Sequence, residues 1–175
     1  MNKLSSLLAP VLLAAAPTLA GADDLSGAHD FDFEFGDWQV HHRLKNADGA
    51  WYEMDGTART QPVLGGYGNI EDNLFHRPKG DSRGLALRTY DPQAGTWAIW
   101  WVDSRAPHNP LDPPVVGKFV DGVGTFYADG DINGRPARTR FIWSKITQTS
   151  AQWEQALSFD AGKTWDTNWV MVFRR

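Results

Sequence analysis

His42 lies in the alternating run DWQVHHRLKN (37–46), on the same strand face as Trp38. An imidazole on that face points inward, where it could act as a general base or donate to a ligand near neutral pH. Spacing puts no acid or nucleophile beside it, so a core histidine satisfied by its neighbours is the competing reading. His41, one residue earlier, should face solvent.

GNIED supplies Asn69, Glu71 and Asp72. Adjacent carboxylates on a strand point to opposite sides, so Glu71 and Asp72 are not an acid/base pair. One of them must face inward, where it either keeps its proton or finds an arginine such as Arg88. The alternative is a strand-end carboxylate that ties down the LGGYG loop. Hairpin geometry is expected to bring Arg140 opposite Glu154. On the outer surface that pair contributes under about 1 kcal/mol; buried, it could grip a carboxylate or activate a substrate. His108 and Asp112 share the Pro-rich connection SRAPHNPLDPP (104–114), and two ligands on a loop do not make a metal site. A loop of that length suits a lid over a barrel mouth. No Ser-His-Asp spacing, phosphate-cradling loop or H-E-x-x-H is present.

SFDAGKTW (158–165) fits the S-x-D-x-G-x-T-W spacing of the Asp-box of sialidase-type propellers. It occurs once, and a propeller needs it blade after blade. The expectation is a hairpin in which Asp160 accepts from turn amides, Gly162 allows positive φ and Trp165 packs over the turn.

These residues must be positioned by short strands. Alternating runs follow one another from residue 35 to the end, punctuated by Asp48-Gly49, Asp91-Pro92, Asp121-Gly122 and Asn133-Gly134. About ten strands of regular spacing, without a helical pattern beyond two turns, predict an all-β fold: an up-and-down antiparallel barrel or a sandwich. The first residues have Lys3, an apolar run from Leu7 to Ala16 and Ala20-Gly21-Ala22, the pattern of a signal peptide over 1–22. The run is too short to span a bilayer. The expected organisation is a signal peptide (1–22), a polar leader (23–34) and a barrel domain (35–175), exported to the periplasm or secreted. Cysteine is absent, so stability comes from packing. Formal charge is −4 with scattered basic residues, which argues against nucleic acid. Nine Trp and nine Phe mean a ring-rich core or a ring-lined pocket.

The strand start Phe35-Gly36-Asp37-Trp38 carries a G-x-W that resembles the N-terminal signature of the calycins, the group of lipocalins, fatty-acid-binding proteins and nitrobindins. The resemblance implies that Trp38 plugs one barrel end under an arginine from the last strand, here Arg174. GNIED, LRTYDPQAGTWAIWW, PPVVGKF, GRPARTRFIWS, WEQALSFDAGKTW and NWVMVFRR are together similar to an uncharacterised bacterial calycin-like family, domain of unknown function 1579. That resemblance implies a calycin-like barrel and no agreed activity. Nitrobindins bind haem through a late histidine; no histidine follows His108, which disfavours haem, and no other cofactor is expected. The disulfide and flanking helix of secreted lipocalins are not visible.

Alternation collects Trp38, Val40, His42, Leu85, Leu87, Trp101, Phe141, Trp143, Trp153, Trp169 and Phe173 on one face, and Ala86, Arg88, Tyr90, Arg140, Glu154 and Asn168 on the other. The aromatic face is expected inside, although the second face, with small alanines beside charges, could line a polar cavity. Three functions follow. The first is binding of a small hydrophobic or aromatic molecule in the interior, with Trp38, His42, Arg88, Trp101, Phe141, Trp153, Glu154, Asn168 and Trp169 as candidate contacts. The second is a small-metabolite enzyme (isomerase, cyclase or hydrolase) with His42, Glu71 and Arg140 as candidate catalytic groups. The third is a carbohydrate- or partner-binding module, which needs a row of exposed Trp such as Trp51, Trp97 and Trp100.

Overall fold

The computed structural model describes residues 25–175, so the expected signal peptide lies outside the described residues. Ten antiparallel strands close into a barrel: β1 (Gly36–Lys45), β2 (Trp51–Val63), β3 (Gly68–Phe75), β4 (Ser82–Asp91), β5 (Thr96–Asp103), β6 (Val115–Val120), β7 (Val123–Ile132), β8 (Arg135–Ser144), β9 (Ser150–Ser158) and β10 (Asp166–Arg174). Each strand pairs with its neighbours in sequence, and β1 pairs with β10 to close the ring, with Val40 opposite Phe173 and His42 opposite Met171. The up-and-down barrel expected from the strand spacing is thus observed, and full closure removes the sheet edges a sandwich would leave.

Turn chemistry fixes the hairpins. Asp121-Gly122 and Asn133-Gly134 each place two successive residues at positive φ, the backbone of a two-residue turn whose twist matches the strands. The SFDAGKTW hairpin is built as expected. Asp160 accepts from Ser158 Oγ (2.7 Å), Thr164 N (2.9 Å) and Thr164 Oγ1 (2.6 Å), while Gly162 N donates to Ser158 Oγ (2.8 Å). These bonds lower the Asp160 pKa to about 2, led by the Thr164 hydroxyl. Trp165 donates to Gly162 O (3.1 Å) and folds over the turn.

The two barrel ends differ. One is shut by residues 26–34, the stretch the polar composition set apart as a leader. Two short 3-10 turns (Ser26–His29 and Asp32–Glu34) carry the chain under the barrel and push Phe31 inside, where it is fully buried. Phe31 meets Trp97 and Phe119 edge-on at 5.0 Å and lies near Phe126 (5.9 Å) and Trp143 (6.0 Å). Trp38 donates to Glu34 O (2.7 Å), tying the plug to β1. The arginine over Trp38 is Arg175, at 4.1 Å, rather than Arg174, which ends β10 as an exposed residue. Arg175 also donates to the carbonyls of Phe35 (2.6 Å), Phe33 (3.0 Å) and Gln148 (2.9 Å). Arg175 therefore latches the plug, its one guanidinium bridging Phe33, Phe35 and the 145–149 turn.

The other end is looser. β5 and β6 pair through three residues only, Trp97 to Ile99 with Val115 to Gly117, and loop 104–114 spans the rest of that seam.

Candidate functional site

A cavity of about 360 Å³ occupies the open half of the barrel, within the size range of small-molecule sites. Its walls are aromatic: Trp101 from β5, Phe141 and Trp143 from β8, Trp153 from β9, Trp169 and Phe173 from β10. Trp153 and Trp169 meet edge-on at 5.3 Å, as do Trp101 and Trp169 at 6.2 Å, so the rings brace one another. Asp112 and Pro113 bring loop 104–114 to the mouth.

The deep end is polar, and β3 makes it so. Asn69, Glu71 and Asn73 alternate onto the inner face. The residues opposite them on β4 are Arg88, Ala86 and Gly84. Gly84 leaves room there for the Trp101 ring, which a Cβ would displace. Arg88, 2 % exposed, lies between two carboxylates, Glu34 (0 %) from the plug and Glu71 (3 %). It meets Glu34 at 2.6 Å, donates to Asn69 Oδ1 at 2.9 Å and is hydrogen-bonded to Glu71. Its guanidinium also stacks over Phe31 at 4.9 Å and Trp143 at 5.5 Å.

Two carboxylates around one cation leave a charge too many for a dry site. Burial drives the Glu34 carboxyl well above its usual range, against the pull of Arg88 and with a further push from Glu71. Burial alone would lower Arg88, but Glu34 and Glu71 outweigh it and raise its pKa. The lock is thus one guanidinium shared between two buried carboxyl groups. Glu71 Oε1 and both amide atoms of Asn73 have no hydrogen-bond partner among the described residues, although each is buried at the cavity.

Several expectations about faces need correction. On β4 the phase is reversed: Ala86, Arg88 and Tyr90 are buried inside, and Leu85 and Leu87 lie half-buried outside. Hydrophobicity points to the leucines, but the carboxylates draw Arg88 in. Arg140 is not opposite Glu154. The register pairs it with Ala156, and Ile142 with Glu154. Arg140 stacks on Trp165 at 4.2 Å and Glu154 accepts from Gln152, neither of them lining the cavity. Asn168 accepts from Gln155 (3.1 Å) beside the bulge that interrupts the β9–β10 register. Trp97 is buried, donating to Gly27 O (2.9 Å), so Trp51, Trp97 and Trp100 form no exposed row.

His42 faces inward as expected and is fully buried. It does not line the cavity; Trp169, which does, lies against it (6.1 Å between rings) and donates to its Nδ1 at 3.4 Å. Phe75 packs against both, 5.0 Å from the imidazole and 5.9 Å from the Trp169 ring. Burial first, then the nearby His41 and Arg77 charges, lower its pKa to about 4, with Asp55 opposing. A neutral imidazole behind an indole has no reach to a bound molecule. Of the candidate contacts, the structure brings Arg88, Trp101, Phe141, Trp153 and Trp169 together around the cavity, with Glu71. Trp38 belongs to the plug. Among the described residues, no group of three His, Cys, Asp or Glu could hold a metal.

The redesigned β-barrel mFAP0, solved bound to DFHBI, aligns over 82% of this chain and 99% of its own, with 14% identity and a TM-score of 0.45. A second redesigned barrel, mFAP1, also bound to DFHBI, aligns over 85% and 98%, with 13% identity and a TM-score of 0.45. No family model matches the chain, and no curated protein does.

Asn73, Glu34 and Gln155 were missed by the sequence reading. Asn73 was legible, since Asn69, Glu71 and Asn73 repeat a polar residue every second position against Ile70 and Leu74. Glu34 carried no such signal, because the cation it meets lies 54 residues away.

Proposed function

We propose that this chain is a binding protein that holds a small apolar or aromatic molecule in its barrel. The observation that carries the reading is the 360 Å³ cavity walled by Trp101, Phe141, Trp153 and Trp169, with one polar end. Apolar walls supply affinity through desolvation, while a few fixed polar groups orient the guest. Catalysis by His42 finds no support, since Trp169 stands between it and the cavity. The sequence similarity to the calycin-like family of domain of unknown function 1579 fits the barrel, and membership of that family is part of the proposal. So is export, which the N-terminal signal pattern motivates.

The test is titration of the intrinsic Trp fluorescence with naphthalene derivatives, beside native mass spectrometry of the purified protein. Saturable quenching is expected, and an Ala128→Trp variant, which fills the cavity from β7, should lose it while keeping its circular dichroism spectrum. Unchanged quenching in that variant would move the binding site elsewhere.

A further inference from the structure

Resting on the cavity reading, we infer that the guest is a hydrogen-bond donor, best a protonated amine on an aromatic or apolar frame, and that an anion is refused. The titratable residues around the cavity are unbalanced: Glu71, Asp112, Asp129 and Asp131 against Arg88. Among the described residues lining the cavity, Arg88 is the one cation. Glu34, Asn69 and Glu71 occupy its terminal nitrogens, leaving Nε as a single unpartnered donor where a two-pronged clamp on a carboxylate or phosphate head needs two.

What the deep end offers is an acceptor. Glu71 Oε1 is buried and unpartnered, and Asn73, two residues along the same face, is 1 % exposed with neither amide atom satisfied. A buried polar atom without a partner is costly, and a donor from the guest would remove that cost at Glu71 Oε1 and Asn73 Oδ1, while Asn73 Nδ2 would still call for an acceptor. The walls agree with this polarity. Indole faces attract cations, and Trp101, Trp153 and Trp169 surround the space such a group must cross. At the mouth, Asp129 is answered by Arg138 (3.3 Å) and Asp131 by the Gly134 amide (2.6 Å). Asp112, on the exposed loop, has no salt-bridge partner among the described residues and adds a field that favours incoming cations.

Three probes that share one ring system separate the outcomes: 2-naphthylmethylamine, 2-naphthalenemethanol and 2-naphthoic acid, each titrated into the full chain at low and moderate salt. The expected order is amine, then alcohol, then acid, with more than tenfold between the ends. Glu71→Gln should shrink the preference for amine over alcohol. Because that change also loosens Arg88, Asn73→Leu provides a second arm. It removes an unsatisfied buried amide, so it should melt no lower than the wild type while binding the amine and alcohol several-fold more weakly. Tightest binding by the acid, or an amine preference untouched by both variants, would overturn the inference and leave the cavity reading standing. Silence from all three probes would sink the cavity reading itself.

Discussion

The two halves of this barrel spend the same residue types on opposite ends. At the closed end, Phe31, Trp97, Phe119, Phe126 and Trp143 pack ring against ring around a sequestered arginine. At the open end, Trp101, Trp153 and Trp169 also meet edge-on but leave a space between them. What separates core from chamber is therefore the plug, which fills one half with a phenyl ring and leaves the other unfilled. Aromatic content says nothing about which half is which; the chain entering β1 decides it.

The comparison breaks most sharply at Phe31. Phe31→Ala should cost about 3–5 kcal/mol, because it empties the centre of a ring cluster that has no side chain free to collapse inward. Urea unfolding followed by Trp fluorescence checks this, and a loss below about 1 kcal/mol would mean that the closed end is no more a core than the cavity. His42 sharpens the comparison in the open half. Its folded pKa of about 4, against an ordinary 6.5, means that the unfolded chain takes up a proton first as pH falls. Its contribution is complete above pH 6.5 and is lost between 6.5 and 4, to the extent of about 3 kcal/mol. Relative to the wild type, His42→Leu should show a flattened stability curve across that window. An identical pH profile in the two proteins would place the imidazole in water. The smallest effect is expected at the latch. Arg175→Ala removes three bonds to carbonyls and the cover on Trp38, worth about 2 kcal/mol once solvent exposure is allowed for. A melting curve that moves while amine binding does not would confirm that the latch serves the closed end alone.

Much of this was legible where the information is local. The β1 phase follows from Trp38, Val40 and His42 alternating with polar neighbours, and the SFDAGKTW hairpin from side chains that bond within their own turn. Positive-φ pairs announced two further reversals. The β4 phase was not legible, because Leu85 and Leu87 outweigh Arg88 on any hydrophobicity count; only the carboxylates of Glu34 and Glu71, from other elements, explain the inward arginine. The Arg140–Glu154 pairing failed for a related reason. Register across β8 and β9 depends on how the 145–149 turn closes, and a shift of two residues carries Glu154 to Ile142. The wall residues were recognisable as rings, but the emptiness between them is a property of three-dimensional packing and has no spelling in the chain.

The salt lock at Arg88 has a bearing on how the ring of strands finds its proper closure. Its carboxyl groups come from the entry segment and the third strand, its guanidinium from the fourth, and none is content without the others. A ladder that slipped along β3 and β4, or a sheet curled shut before the entry segment arrived, would strand a guanidinium in oil. The molecule thus checks its own assembly with a charge that balances only when the correct neighbours are home.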